Sequence, residues 1–175
     1  DNDTGLLIGA DENTLVQNNV FVTDGWYREQ LVIFICGNAN NAYRHNTLRA
    51  TDGGGANIRF MLSNESGCSS QTNVYNTVYD NIVTGSVFAD SGLNLNTATI
   101  GYNLVGSPLI GTNNITGQPT FTGGINPTTY AGYELAAGSL GKGNASDGLD
   151  RGVVYSGTSD TTTPSTPTNL TATPV

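Results

Sequence analysis

One short pattern recurs along this chain and limits what it can fold into. Asn13-Thr-Leu-Val-Gln-Asn18-Asn-Val20, Asn41-Ala-Tyr-Arg-His-Asn46-Thr-Leu48, Asn76-Thr-Val-Tyr-Asp-Asn81-Ile-Val83 and Ala98-Thr-Ile-Gly-Tyr-Asn103-Leu-Val105 can be set in line. Each has Asn at its sixth position and an aliphatic residue two places on, and the Asn positions are 28, 35 and 22 residues apart. A second landmark follows in register. Thr23-Asp24-Gly25 returns 28 residues later as Thr51-Asp52-Gly53, and Thr84-Gly85 is a shortened third copy. After each comes an apolar run of strand length: Leu31–Cys36, Ile58–Leu62 and Val87–Ala89, with Leu6–Ile8 as the strand of an incomplete earlier copy. A unit of about 20–35 residues made of short strands cannot bury its apolar face alone, and must stack on its neighbours. The expected fold is all-β, a parallel solenoid of about four coils. Asn18, Asn46, Asn81 and Asn103 would form one ladder of stacked side-chain amides.

Composition agrees with that reading. The 175 residues include 21 Asn, 24 Thr and 23 Gly, all poor in helix interiors. Hydrophobic residues make up 37%, with eight Tyr and five Phe, enough to pack a core. Only 11% are charged, against about 25% in an average soluble domain. Six Lys and Arg against fourteen Asp and Glu leave a net charge of −8, so a nucleic-acid partner, which needs clustered cations, is excluded. The longest apolar run, Leu31–Cys36, has six residues, far short of a membrane span. Low Lys, acidity and abundant Asn, Ser and Thr suit a secreted protein, extracellular or at the cell surface.

The repeats resemble the right-handed parallel β-helix family, the fold of pectate and other polysaccharide lyases, polygalacturonases and phage tailspikes. That resemblance gives residues 1–117 as coils. Residues 118–155 keep strand-like pieces without the repeat, among them Gln118-Pro119-Thr120-Phe121, Tyr133-Glu134-Leu135 and Asp150-Arg151-Gly152-Val153-Val154. Their order is similar to the closing segment of many secreted β-helix proteins, so an irregular β cap is expected there. An open solenoid end would otherwise expose apolar side chains and unpaired strand edges. Residues 156–175 turn to Gly, Ser, Thr, Asp and Pro, a linker composition. Their end, from Thr166, resembles the opening strand of a fibronectin type III module. Both ends read as continuous with further modules of a larger extracellular protein.

The resemblance implies a polysaccharide or glycan as partner, with β-elimination of a uronate polymer if the chain is catalytic. The alternative is a non-catalytic adhesion or structural solenoid. In β-helix lyases the substrate groove runs along an outer strand face, where an Arg or Lys takes the proton beside a uronate carboxylate. Alternation over Ile58-Arg59-Phe60-Met61-Leu62 turns Arg59 outward. Arg28, Arg59 and His45 are therefore the candidate catalytic residues. Trp26, Tyr27 and Arg44 are the candidate substrate contacts, as flat faces for sugar rings and a cation for an acidic group. The competing readings are plain ones. Arg59 would be a surface arginine paired with Asp24 or Asp52, and His45 would point outward as an ordinary surface residue, within reach of Asp80 one coil later.

Asp24 and Asp52 would lie about 5 Å apart if consecutive coils superpose, close enough to hold calcium between carboxylates; otherwise each Asp-Gly is simply a tight turn. Calcium is the one cofactor the sequence suggests. Cys36 and Cys68 follow successive apolar strands, and either remain buried thiols or bridge to pin residues 63–75 over the exposed face of the Leu31–Cys36 strand. The paired-carboxylate motifs of polygalacturonases do not occur, and no lyase residue pattern is matched position by position.

Overall fold

The structure is a computed structural model that describes residues 5–8, 12–24, 29–34, 39–52, 55–61, 75–90 and 98–155. Within them Arg28, Trp26, Tyr27, Cys36, Cys68 and the 156–175 linker have no place; they lie outside the described residues.

Thirteen short strands of the described residues form three sheets, all parallel. The first runs β1 (Leu6–Ile8), β4 (Glu29–Phe34), β7 (Asn57–Met61), β10 (Val87–Ala89). The second contains β2 (Leu15–Gln17), β5 (Ala42–Arg44), β8 (Thr77–Tyr79) and β11 (Thr99–Gly101). The third contains β3 (Val20–Thr23), β6 (Thr47–Ala50), β9 (Ile82–Val83), β12 (Leu104–Val105) and β13 (Ile115–Thr116). Every strand pairs with its counterpart one repeat away, an arrangement consistent with an all-β parallel solenoid.

Period-2 alternation sends one column of each sheet inward. Leu31, Ile58 and Val87 stand in register on the first sheet, Tyr43, Val78 and Ile100 on the second, and Leu48, Val83 and Val105 on the third. They belong to one buried cluster, and each wholly buried aliphatic or aromatic side chain contributes about 1.5–3 kcal/mol.

The corner between the second and third sheets explains the Asn repeat. Asn18, His45, Asp80, Tyr102 and Asn113 all take a left-handed backbone, with φ from 52° to 60°. The next residue in each coil is the ladder. Asn19, Asn46, Asn81 and Asn103 each donate a backbone N–H and a side-chain Nδ2–H to the Oδ1 of the following rung, at 2.9–3.2 Å. The last acceptor is Asn114, so the ladder has five rungs spaced 27, 35, 22 and 11 residues. The first rung is thus Asn19 and not Asn18, because β2 pairs Gln17 with Arg44 and shifts the first copy by one residue. Asn18 fills the left-handed position, which Asn tolerates well. A second, shorter ladder runs from Thr14 through Asn41 to Asn76, again each one residue after a left-handed corner.

Residues 118–155 do not stay at the end of the stack. The third sheet is apolar outside as well as inside, where Val20, Ile82, Leu104 and Ile115 are joined by Phe121, Tyr133, Leu135 and Val153 in a second buried cluster. The final stretch then crosses the left-handed corner coil by coil. Arg151 reaches Asn103 and Asn113, the Gly152 N–H donates to Asp80 O, Val153 N–H to Thr47 Oγ1, and Val154 N–H to Asn18 Oδ1. The segment is a strap along the flank. No helix of the described residues is long and apolar enough to cross a membrane.

Candidate functional site

The strap decides what the candidate residues can do. His45 is only 6% exposed, contrary to the expectation of an outward surface residue. Its left-handed corner lies where the strap passes: the ring Nδ1 is 3.2 Å from Gly152 O and Nε2 is 2.9 Å from Asp147 Oδ2. Asp80 Oδ2 stands 3.9 Å from the same Nε2, as coil alignment suggested. Asp80 is itself buried and accepts from Ser146 N–H and Oγ–H at 2.6 Å each. Both ring nitrogens of His45 thus lie within hydrogen-bond distance of strap oxygens. Burial alone would push the Asp147 carboxyl up, but the Leu149 N–H and His45 outweigh it and hold the carboxyl below its ordinary value.

Arg151 is 3% exposed and uses the whole guanidinium on backbone carbonyls, those of Asn103, Asn113 and Asn144. Burial, against the smaller pull of Asp80, lowers its pKa. Sequence reasoning did not single this residue out; its only signal was being a cation inside the Asp-Arg-Gly turn of the closing segment.

Arg59 does face away from the core, with Ile58 and Phe60 buried on either side. Its partner is Asp90, at 2.8 Å, in place of Asp24 or Asp52. β10 pairs directly with β7 and ends beside Arg59, whereas Asp24 and Asp52 follow the third sheet. The hydrogen bond that Arg59 donates to Asp90, opposed by burial, raises the Arg59 pKa, away from what a proton acceptor needs. Arg44 lies on the second sheet, exposed, with its Nε donating to Gln17 Oε1 at 3.0 Å. Arg59, Arg44 and His45 therefore sit on one sheet, another sheet and a strapped corner. They do not assemble into one centre.

Asp24 and Asp52 are both exposed. Strand pairing sets Thr23 against Ala50, and the Thr51 N–H donates to Thr23 O. The 28-residue offset of the two Thr-Asp-Gly triplets is thus one longer than the 27-residue register of these coils.

A cleft of about 400 Å³ opens between the third sheet and residues 118–125, at the start of the strap segment. Pro119, Phe121 and Ile125 give its apolar walls, and Thr84, Gln118 and Arg49 its polar ones. Arg49 projects outward from β6, 8% exposed, with Nη2 donating to Asn126 Oδ1 at 3.0 Å and its guanidinium carbon 5.7 Å from the Phe121 ring centre. Gln118 is fixed by donating Nε2–H to Thr84 O at 3.1 Å.

No protein-family model matches the chain, and no curated protein or solved structure matches it either.

Proposed function

We propose that the chain is a non-catalytic, glycan-binding solenoid module of a secreted protein, with the coils forming a right-handed parallel β-helix. The reading of a polysaccharide partner rests on the repeat's resemblance to β-helix proteins, and the cleft beside the strap is the binding surface. The observation that favours binding over cleavage is the placing of His45. The sole histidine of the chain is buried between Gly152 O and Asp147, and serves to hold the strap. Arg59, already bonded to Asp90, has no tendency to give up its proton.

The cleft has the features of a small-ligand site: concave, mostly apolar, with a few polar groups at fixed positions. Its volume falls in the range of about 300–1,000 Å³ common for such sites. The test is to incubate the chain with a panel of neutral and uronate polysaccharides, following retention in affinity gels and the ultraviolet absorbance of unsaturated products. Retention without product is expected. Accumulating unsaturated product would overturn the reading in favour of a lyase.

A further inference from the structure

We infer that the cleft beside the strap selects glycans carrying an oxyanion, a carboxylate or a sulfate ester, with Arg49 as its anchor. The inference rests on the glycan-binding reading and adds the ligand's charge. Three observations carry it. Arg49 is 8% exposed, and its hydrogen bonds go to neutral oxygens, Asn126 Oδ1 at 3.0 Å and, weakly, Ala50 O at 3.5 Å. Among the described residues no carboxylate pairs with it, and nothing accepts from Nη1. A buried guanidinium with unused donors and no counter-ion is costly unless an anion completes it.

The second observation is the charge of the walls. Arg49 is the one charged residue among the described residues that line the cleft, in a chain whose net charge is −8. Acidic residues outnumber basic ones by fourteen to six, yet among the described residues none lines this cleft. The third is the shape. Phe121 and Pro119 form an apolar wall next to the cation, with Gln118 held in place for a hydroxyl. A pyranose ring with one acidic substituent offers that combination: an apolar ring face, hydroxyls and an oxyanion for the N–H donors. Arg49 lies on the third sheet, away from the Arg59 strand face, so this surface is separate from the groove expected on the first sheet.

The experiment titrates the intact chain with three oligosaccharides of equal length, one neutral, one carboxylated and one sulfated, and with acetate. The readouts are calorimetry and the Arg49 Nε–H resonance. Acidic oligosaccharides are expected to bind at least about tenfold more tightly than the neutral one, with salt weakening only the acidic arms. The stronger acidic arm identifies carboxylate or sulfate. Arg49→Met should abolish the preference. Because that change also removes packing on Phe121, Ile125→Glu is the second variant. Ile125 is 82% exposed, so the new charge at the cleft mouth should repel the anion with the fold intact. Equal binding of all three oligosaccharides, or acidic binding unchanged in Ile125→Glu, overturns the inference and leaves the glycan reading standing. If no oligosaccharide binds while acetate still shifts the Arg49 signal, the glycan reading fails and an anion site remains. No shift with any of the four overturns the anion site.

Discussion

Arg151 Nη1 donates to the Asn103 carbonyl at 2.7 Å, 48 residues back along the chain. With Nη2 on Asn113 O at 3.0 Å, one side chain joins the last two ladder coils. Arg151→Lys keeps the charge but not the planar fork, and leaves carbonyls at the corner without donors. The expected loss is about 2–4 kcal/mol, seen as a lower denaturant midpoint with similar slope. A loss under about 0.5 kcal/mol, the scatter of an ordinary surface change, would show that the guanidinium does not hold the corner.

Two glycines in the closing segment separate strain from collision. Gly138 and Gly152 have almost the same left-handed φ, +78° and +75°. A Cβ on Gly138 meets nothing within 4 Å, whereas one on Gly152 would lie 2.6 Å from both Ile82 Cδ1 and Thr47 Oγ1. Gly138→Ala should cost about 1–2 kcal/mol, the left-handed penalty alone. Gly152→Ala carries that penalty and must also push the strap off the sheet. Limited proteolysis should cut residues 144–155 faster in Gly152→Ala than in Gly138→Ala; equal cutting would count against close packing of the strap.

The ladder should be strongest in its middle. Asn81 is fully buried, accepts twice from Asn46, and donates to Asn103 Oδ1, Tyr43 O and Tyr79 O. Replacing it with Ala strands several of these groups away from water, at an expected cost of about 3 kcal/mol or more. Asn19, the exposed first rung, should cost under about 1 kcal/mol on the same change. Thermal or urea unfolding of the two variants checks the ranking.

Asp147 makes the strap sensitive to acid. Its carboxyl is held below the ordinary 3.8 in the folded chain, because the Leu149 N–H and His45 together outweigh the opposing effect of burial. A group depressed on folding stabilises the fold fully above its unfolded value, and that share is lost as pH falls through the folded value. The advantage of the natural chain over Asp147→Asn should therefore hold from neutral pH down to about 4 and shrink below it. The side chain is 44% exposed, so solvent screening keeps the effect under about 1 kcal/mol. Unfolding midpoints of both proteins between neutral pH and pH 3 provide the comparison; a constant difference would exclude the linkage.

The strands of the first sheet were legible because their signal is local. Leu6–Ile8, Ile58 and Phe60, and Val87–Ala89 stand where alternation and the repeat put them. The slip from Asn19 to Asn18 arose where two Asn are adjacent and both suit the corner, one as a left-handed residue and one as a rung. Only the pairing of Gln17 with Arg44 separates them. The fifth rung was readable in principle, since Asn113-Asn114-Ile115 repeats Asn18-Asn19-Val20, but its 11-residue spacing is too short for a complete coil. The burial of His45 was not legible. It depends on Asp147 and Gly152, more than 100 residues away, and on an irregular segment whose path leaves no periodicity. Arg151 was hidden for a similar reason, because its acceptors are backbone carbonyls that any residue carries.

The strap also changes how this stack can come apart. In a solenoid joined only by nearest neighbours, coils are free to unzip from an end one at a time. Here a single segment is bonded to Asn18 in the first ladder coil, Thr47 in the second, Asp80 in the third and Asn103 in the fourth. Fraying the first coil breaks bonds to a segment that the fourth still holds, so loss at one end is felt at the other. The opening of separate coils is coupled into one event, and amide exchange along the ladder should converge on a common free energy instead of grading from the ends to the middle. The same tie delays completion of folding, since the strap has nowhere to dock until coils spanning up to 136 residues of separation have formed.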